Sequence, residues 1–357
     1  MIKSTISFLY ILAAYLISYT NSSEEVKGGE KSFKEEITEY ILHHVKDSHD
    51  FGLLSYKDKK TNRKVYIGAP LPVIIYDNGF KFFMSSKFDH GRKVARIGDS
   101  HYILYHDKIY KTDSKGTINY DNNGHPLNTK PLDFSITKSV VSIIFVSILM
   151  LLLFRNLAKS YKKNGLISSG IGRFFEPLIV YIRDEIAIPN IGVKHYKRFM
   201  SFLLTIFFFV WFCNVLGLTP LGVNVTGNIA ITFCLALLTF IITTVSGTKD
   251  YWMHIFWMPG MPLPMKIIMA PIELLGVFIK PFTLMIRLYA NILAGHIVMM
   301  TLISMIFLFR NFIGSGLSVL LAFFISIIEI LVALLQAYIF TILSALYFGF
   351  AVEEHDH

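Results

Sequence analysis

Long apolar runs alternate with short polar ones through the second half of the chain. A helix that crosses a bilayer needs about 20 residues, because each residue adds about 1.5 Å and the hydrocarbon layer is about 30 Å thick. Five runs are candidates, and they cover residues 139–154, about 199–217, about 228–246, 267–309 and 317–350. The pattern predicts a mainly α multi-pass membrane protein with about five membrane helices.

The last two runs are longer than an upright span requires. They extend over 43 residues (267–309) and 34 residues (317–350), so upright helices would protrude from both faces of a bilayer. A tilt, a kink or an in-plane course is needed. Pro271 and Pro281 are candidate kink or boundary positions. We expect a long tilted helical hairpin that is joined by residues 310–316.

The first 137 residues follow a different pattern. Lys3 precedes the short apolar stretch ISFLYILAAYLISYT, and polar residues follow it. This is typical of a signal peptide over residues 1–22, with a retained first membrane helix as the alternative. In residues 23–137 short β-type runs alternate with turn signals at 77–79 and 122–124. We expect a small β-rich N-terminal domain here and the membrane domain in residues 138–357.

The basic residues of the apolar half predict its topology. Arg155, Lys159, Lys162 and Lys163 follow the first run, and basic flanks tend to stay cytoplasmic. The preceding domain should therefore be extracytoplasmic, as a signal peptide also requires. The next loop, GLTPLGVNVTGN, is uncharged, and the third span returns to Lys249 and Asp250; the hairpin that follows returns the C-terminus to the cytoplasmic side. The mixed segment FFEPLIVYIRDEIAI is a candidate interfacial helix.

Composition narrows the class of protein further. The chain is 53% hydrophobic with a mean hydropathy of +0.51, more than a soluble core requires. Its net charge of +9 is explained by basic loops rather than by a nucleic-acid partner. Cys213 and Cys234 lie in apolar runs and indicate neither a disulfide nor a metal site. His43, His44 and His49 form a loose cluster that is more typical of solvated side chains than of a metal site. We expect no metal and no cofactor.

Polar residues recur at helical spacing on the first half of the hairpin. Glu273, Lys280 and Arg287 are each seven residues apart, so they drift by only about 20° per step around one helix. Asn291 follows Arg287 one turn later on the same face. The spacing predicts a polar seam along a helix that is otherwise apolar.

The second half of the hairpin repeats the pattern. Glu329 and Gln336 are also seven residues apart. If Arg287 packs opposite Gln336, the antiparallel arrangement brings His296 to about the level of Glu329. Polar pairs that only hold two membrane helices together are the structural alternative. Ionisable residues inside a membrane more often mark an ion path, so we favour a functional seam.

Two motifs on the hairpin carry a family resemblance. The stretch KPFTLMIRLYANILAGH, followed downstream by EILVALLQAYIFTILSALYFG, resembles the paired signature of subunit a of the rotary F-type ATP synthases. The similarity covers about residues 139–350 and includes FFVWFCNVLGLTP, which resembles the second membrane helix of that family. The N-terminal 137 residues lie outside the usual family pattern.

The resemblance implies a role for each polar residue of the seam. Arg287 would be the essential stator arginine, with the remaining residues on the proton path: Glu273, Lys280, Asn291, His296, Glu329 and Gln336. Glu273 falls on an acidic position at the cytoplasmic end. His296 and Glu329 fall on a pair that some members carry with acid and histidine exchanged.

The resemblance also implies partners and a location. A subunit of this kind forms two half-channels against a rotor c-ring, contacts peripheral-stalk subunit b and lies in the bacterial inner membrane. It would have no catalytic site of its own. This chain also lacks a GxxxxGK[ST] loop, so ATP chemistry would belong to partner chains.

Two other classes of function remain as alternatives. A secondary transporter could use Arg287 to bind an anion between repeats, but it would show symmetry between its halves, and none is visible. An anchored envelope-binding protein would make the exported domain its main module, but it would need neither five spans nor the seam. Sequence alone does not distinguish a proton path from a sodium path.

Overall fold

The computed structural model describes residues 47–57, 64–121, 125–164, 170, 172–219, 224–257, 262–308 and 312–353. This part of the chain divides into two compact units. One contains residues 87–132. The other contains residues 47–86 together with residues 133–353. The signal peptide predicted for residues 1–22 lies outside the described residues, as do His43 and His44.

Short antiparallel strands make up the N-terminal region, as predicted. They are β1 (Asp50–Lys57), β2 (Lys64–Pro70), β3 (Pro72–Tyr76), β4 (Phe80–Met84), β5 (Ala95–Ile97), β6 (Ser100–Tyr105), β7 (Lys108–Thr112) and β8 (Leu132–Asp133). Strand β1 pairs with β2, and the other strands form two three-stranded sheets in the orders β4-β3-β8 and β5-β6-β7. A short 3-10 helix, Ser85–Phe88, follows β4.

The turn predicted at 77–79 connects β3 to β4, with positive φ at Asn78 (51°) and Gly79 (135°). Asparagine and glycine tolerate this left-handed region better than other residues do, which explains the hairpin. The second predicted turn, at 122–124, lies outside the described residues. Buried Val73, Ile75 and Phe83 give the hairpin one face directed inward.

Helices make up the rest of the chain. They are α1 (Lys138–Asn164), α2 (Gly172–Tyr181), α3 (Ile188–Ile191), α4 (Tyr196–Gly217), α5 (Ile229–Ser246), α6 (Lys249–Phe256), α7 (Leu263–Leu308) and α8 (Phe312–Val352), with a π-helical segment, Ile182–Ala187, between α2 and α3. Five of those described, α1, α4, α5, α7 and α8, are long and apolar enough to cross a membrane. This confirms the predicted number.

The long hairpin is confirmed as α7 and α8, with 46 and 41 residues. Neither Pro271 nor Pro281 is a boundary, since both lie inside α7. The predicted connection at 310–316 was too long, because α8 already begins at Phe312. A helix pairs its interior backbone N–H and C=O groups within one segment. An apolar environment therefore favours helix even at the glycines of this stretch. The tilt of the hairpin stays a prediction.

Helix α8 packs against α7, α4, α3 and α5. Its buried face contains mainly small residues: Ala333, Ala337, Thr341, Ser344, Ala345 and Ala351. Small side chains let helix backbones approach closely, and close packing is what holds membrane helices together. Thr341 and Ser344 satisfy their hydroxyls within the helix by donating to carbonyls four residues earlier.

The closest approach on this face is at Gly349. A Cβ added there would overlap the carbonyl oxygen of Asn190, which belongs to the backbone of α3 and cannot rotate away. Gly349→Ala should therefore force the two helices apart and lower the free energy of unfolding by about 1–3 kcal/mol. Thermal unfolding in mild detergent, followed by size-exclusion chromatography, measures this loss.

Gly276→Ala is the matched control for that substitution. Gly276 also lies within a membrane-spanning helix, but an added Cβ meets nothing within 4 Å there. An equal loss of thermal stability in both variants would mean that the close contact with Asn190 is not the cause.

Candidate functional site

A side-chain hydrogen bond joins the polar seams of α7 and α8. Asn291 Nδ2 donates to Gln336 Oε1 over 2.8 Å, and Gln336 is almost fully buried. The antiparallel register predicted from spacing is therefore correct to within one turn, with Asn291 rather than Arg287 bonded to Gln336. Arg287 lies one turn earlier on α7 and is half-buried.

Arg287 is a cation without an anion in this part of the molecule. Among the described residues, no carboxylate lies within ion-pairing distance of its guanidinium. Lys280, the other cation of the seam, has a different environment. Its Nζ lies 5.8 Å from the ring centroid of Tyr347 and 5.5 Å from that of Phe350. The aromatic faces of α8 attract the ammonium group of Lys280, so Arg287 is the cation left available to a partner.

The carboxyl group of Glu329 is buried against α7. A Cβ added to Gly295 would lie 2.5 Å from Oε1 of Glu329, so the glycine makes room for the carboxyl. Neither carboxyl oxygen has a hydrogen-bond partner among the described residues. His296, next to Gly295 in sequence, is also buried. The structure therefore brings Glu329 to the level of His296, as the register argument predicted.

Lys138 is a residue of this region that the sequence reasoning missed. It is the first residue of α1 and is buried, and its charge acts electrostatically on His296. Its place in the sequence could have identified it, because Lys138 is the charged residue directly before the first apolar run. Sequence spacing relates residues on one helix but does not relate α1 to α7.

The other end of the seam opens into a cavity of about 310 Å³. Its polar lining comes from helices α6 and α7 and from the residue just after α8: Asp250, Tyr251, His254, Glu273, Lys280 and Glu353. One water needs only about 10–15 Å³ of such volume, so the cavity has room for many waters. Glu273 and Lys280 were predicted site residues, and the structure brings them together here.

Asp250, His254 and Glu353 were not predicted. They lie on the short helix α6 and just beyond α8, outside the periodic seam, so no spacing rule links them to Glu273. Tyr251 adds a hydroxyl to the same wall. Burial, with a smaller contribution from the nearby Glu273 carboxylate, raises the pKa of Tyr251. Its phenol therefore stays protonated at neutral pH and can donate a hydrogen bond.

The two polar ends lie far apart along α7. Glu273 and His296 are separated by 23 residues, or about 35 Å at 1.5 Å per residue, which is close to the thickness of a bilayer core. Arg287 lies between them, about 21 Å from Glu273 along the helix axis. The arrangement provides titratable groups at both ends and one fixed positive charge in the middle.

No group of three metal-ligating side chains occurs within the described ranges. His49 pairs with Asp133 through an Nε2–Oδ2 contact of 2.8 Å. Burial alone would raise the pKa of Asp133, but hydrogen bonds from His49 and Ser135 outweigh it and hold that pKa below its usual value. Cys213 is buried and Cys234 is exposed, both as free thiols.

Comparison with known proteins matches two family models to this chain. The model described as ATP synthase A chain matches residues 140–349, and a domain of unknown function matches residues 40–134. ATP synthase subunit a of Chloroherpeton thalassium is 44% identical over 230 residues, covering 63% of this chain and 69% of the relative.

Two further relatives have similar identity. ATP synthase subunit a of Pelodictyon phaeoclathratiforme is 40% identical over 279 residues, covering 75% of this chain and 79% of the relative. That of Myxococcus xanthus is 42% identical over 232 residues, covering 63% of this chain and 76% of the relative. The range matched by the ATP synthase A chain model, 140–349, includes every residue of the α7–α8 seam.

The cavity beside Glu273 should contain water and be open to one side of the membrane. Val277 lines it, so Val277→Cys in a Cys213→Ser, Cys234→Ser background should react with a membrane-impermeant thiol reagent added from the side of the basic loops. Leu288→Cys is the control, because Leu288 lies on the same helix, is fully buried and does not line this cavity. Equal, slow labelling at both positions would contradict a water-filled cavity.

Proposed function

This chain belongs to the ATP synthase A chain family, and from that premise we propose that it is the proton-conducting stator subunit against which a rotor ring turns. The chain would form two half-channels, one at each end of the α7–α8 seam. It would contribute no catalytic site of its own, and nucleotide chemistry would belong to other subunits of the complex. The single observation that carries the proposal is Arg287, a cation that has no ion pair with any described residue and lies between two titratable ends.

Arg287 discharges each rotor site as it passes. A fixed positive charge about 4 Å from a carboxyl contributes roughly 4 kcal/mol at an effective dielectric near 20, enough to favour proton release. The guanidinium keeps its own proton at any accessible pH, so it cannot relay a proton from one half-channel to the other. It therefore both drives release and blocks a leak.

The hydrogen bond between Asn291 and Gln336 helps Arg287 in this role, because it holds α7 against α8 close to the arginine. It connects α7 to α8 one turn from Arg287, and Gln336 is held rigidly in the helical core. The guanidinium is thus presented from a fixed backbone. A preorganised charge acts on a passing carboxyl without first having to reorient.

Proton uptake and release would use the two ends of the seam. His296 and Glu329 would pass protons from the exoplasmic side to the rotor. Glu273 would receive them on the cytoplasmic side, with Lys280 beside it and Asp250, His254 and Glu353 around the water-filled cavity. The membrane potential contributes about 2.3 kcal/mol per proton and 100 mV to this flow. The rotor c-ring and the peripheral-stalk subunit b are the partners that this role requires.

The orientation follows from charge. The basic residues after α1 keep the segment between α1 and α4 in the cytoplasm of a bacterial inner membrane, and the C-terminus lies on the same side. Residues 23–137 are then extracytoplasmic, after a signal peptide at 1–22, and residues 138–357 form the membrane domain. The release cavity beside Glu353 accordingly faces the cytoplasm.

Substitution of Arg287 tests the proposal most directly. Arg287→Ala and Arg287→Lys should both abolish ATP synthesis driven by an imposed proton gradient in liposomes containing the whole complex. The alanine variant loses the positive charge that blocks direct proton transfer between the half-channels, so passive proton conduction should persist or rise. The lysine variant keeps a charge but can lose its proton when buried, and it lacks the planar fork that engages a carboxylate.

Arg155→Lys is the matched control, since Arg155 is an exposed arginine near the end of α1. It should synthesise ATP normally. Near-normal synthesis by Arg287→Lys would mean that any positive charge suffices and would refute the role of the guanidinium. Undiminished ATP synthesis by Arg287→Ala, together with transport of an anion by the unmodified chain, would favour a secondary transporter.

Glu329 provides the second test. Glu329→Gln should lower passive proton conductance through the membrane sector by roughly 100-fold, because a relay carboxyl is lost. Gly295→Ala should also lower it, because the new methyl displaces the carboxyl. The double variant His296→Glu/Glu329→His, which exchanges the two side chains, should restore part of the proton conductance.

The control for Gly295→Ala is Gly276→Ala, which adds a methyl to the same helix without meeting any atom within 4 Å. Its conductance should equal that of the unmodified complex. Full conductance in Glu329→Gln would exclude a relay role for this carboxyl.

A further inference from the structure

The sheet formed by β4, β3 and the chain around β8 exposes large apolar side chains on its outer face. Its inner face is buried through Val73, Ile75 and Phe83. Its outer face carries large exposed side chains, with Phe82 exposed by 69% and Phe80 by 63%. Antiparallel sheets at a protein surface usually alternate apolar and polar residues, with the polar face in water.

The outer face consists of three cross-strand rows. The register and backbone hydrogen bonds give the rows Tyr76–Phe80, Phe134–Ile74–Phe82 and Ile136–Pro72–Met84. Every residue in these rows is apolar. The face extends about 16 Å along the strands and about 10 Å between the axes of its outer strands.

The third row lies next to the start of a membrane helix. The amide of Ile136 donates to the carbonyl of Pro72, and α1 begins two residues later at Lys138. Two residues of chain reach at most about 7 Å. This edge of the sheet is therefore held at the point where α1 begins.

Further bonds make that connection rigid. Asp47 accepts from the Thr137 hydroxyl (2.9 Å) and the Ser139 amide (3.2 Å), and the Lys138 amide donates to the carbonyl of Ser48. Phe51 of β1 packs against the hydrophobic core of the helices. The sheet thus cannot swing far from α1. The exposed apolar side chains of α1 begin at Val140 and continue the apolar surface into the span.

We propose that this outer sheet face rests on the lipid bilayer, in the headgroup layer of the leaflet in which α1 begins. Tyrosine favours that layer and phenylalanine its boundary with the acyl chains, and the face offers Tyr76 together with Phe80, Phe82 and Phe134. The face continues into the exposed apolar side chains at the start of α1, a helix long and apolar enough to cross a membrane. The apolar surface and the short connection to α1 therefore fit lipid better than a protein partner.

The face thereby becomes a membrane-contact surface of the domain of unknown function. The contact with lipid would add to the bonds at the start of α1 in holding residues 72–84 in place.

Fluorescence quenching tests this placement in the full chain. Phe82→Cys, in a Cys213→Ser, Cys234→Ser background, is labelled with a polarity-sensitive fluorophore and reconstituted in nanodiscs of phosphatidylethanolamine and phosphatidylglycerol. Lys87→Cys, at an exposed position just beyond β4, is the control. We expect blue-shifted emission at position 82, quenching by lipids with a nitroxide near the headgroup and little quenching by aqueous iodide. The label at position 87 should show the reverse.

Two results would overturn the proposal. Equal iodide quenching at both positions would show that the face is in water. Iodide quenching of position 82 in nanodiscs holding this chain alone, but not in the complete complex, would show that a partner subunit covers the face. Should Phe82→Cys fail to assemble, Phe80→Cys in the neighbouring row gives the same readout, because its side chain is also exposed.

Discussion

The hydrogen bond from Asn291 to Gln336 fixes the register of α7 on α8, and the positions of the other polar groups on the hairpin follow from it. Two apolar helices of more than 40 residues could slide past each other by a turn at little cost in lipid, because lipid chains solvate either register equally well. A buried amide that must find its partner removes that freedom. Once Asn291 meets Gln336, Glu329 has to lie beside Gly295.

The small residues of α8 make this register rigid. Alanine, serine and glycine on its buried face let neighbouring helices approach closely, and at Gly349 the backbone of α3 meets that of α8. An unpaired cation within the membrane raises the free energy of the folded protein, and close packing elsewhere offsets this cost. The close packing of α8 thus offsets the free-energy cost of placing Arg287 in the seam.

Much of the seam was predictable, because seven-residue spacing on one helix and the RLYAN and LQAYIF motifs involve only local sequence. The turn at Asn78-Gly79 was predictable for the same reason, since positive φ has a strong residue preference. Asp250, His254 and Glu353 were not, because the cavity they line is created by tertiary packing of α6 against α7. Lys138 was missed for a similar reason. The helix boundary at Phe312 differed because glycines that signal a loop in water continue a helix in an apolar surrounding.

The start of α1 shows why the N-terminal region is part of the membrane domain's structure. The first amides of a helix have no partner within the helix, and leaving them unsatisfied near a bilayer is costly. Here the amides of Lys138 and Ser139 bond to Ser48 and Asp47, some ninety residues earlier in the chain. A carboxylate at this position also interacts favourably with the positive end of the helix dipole. Because Lys138 in turn acts on buried His296, the cap supplied by the N-terminal region also helps to set the position of a charge beside the His296–Glu329 end of the seam.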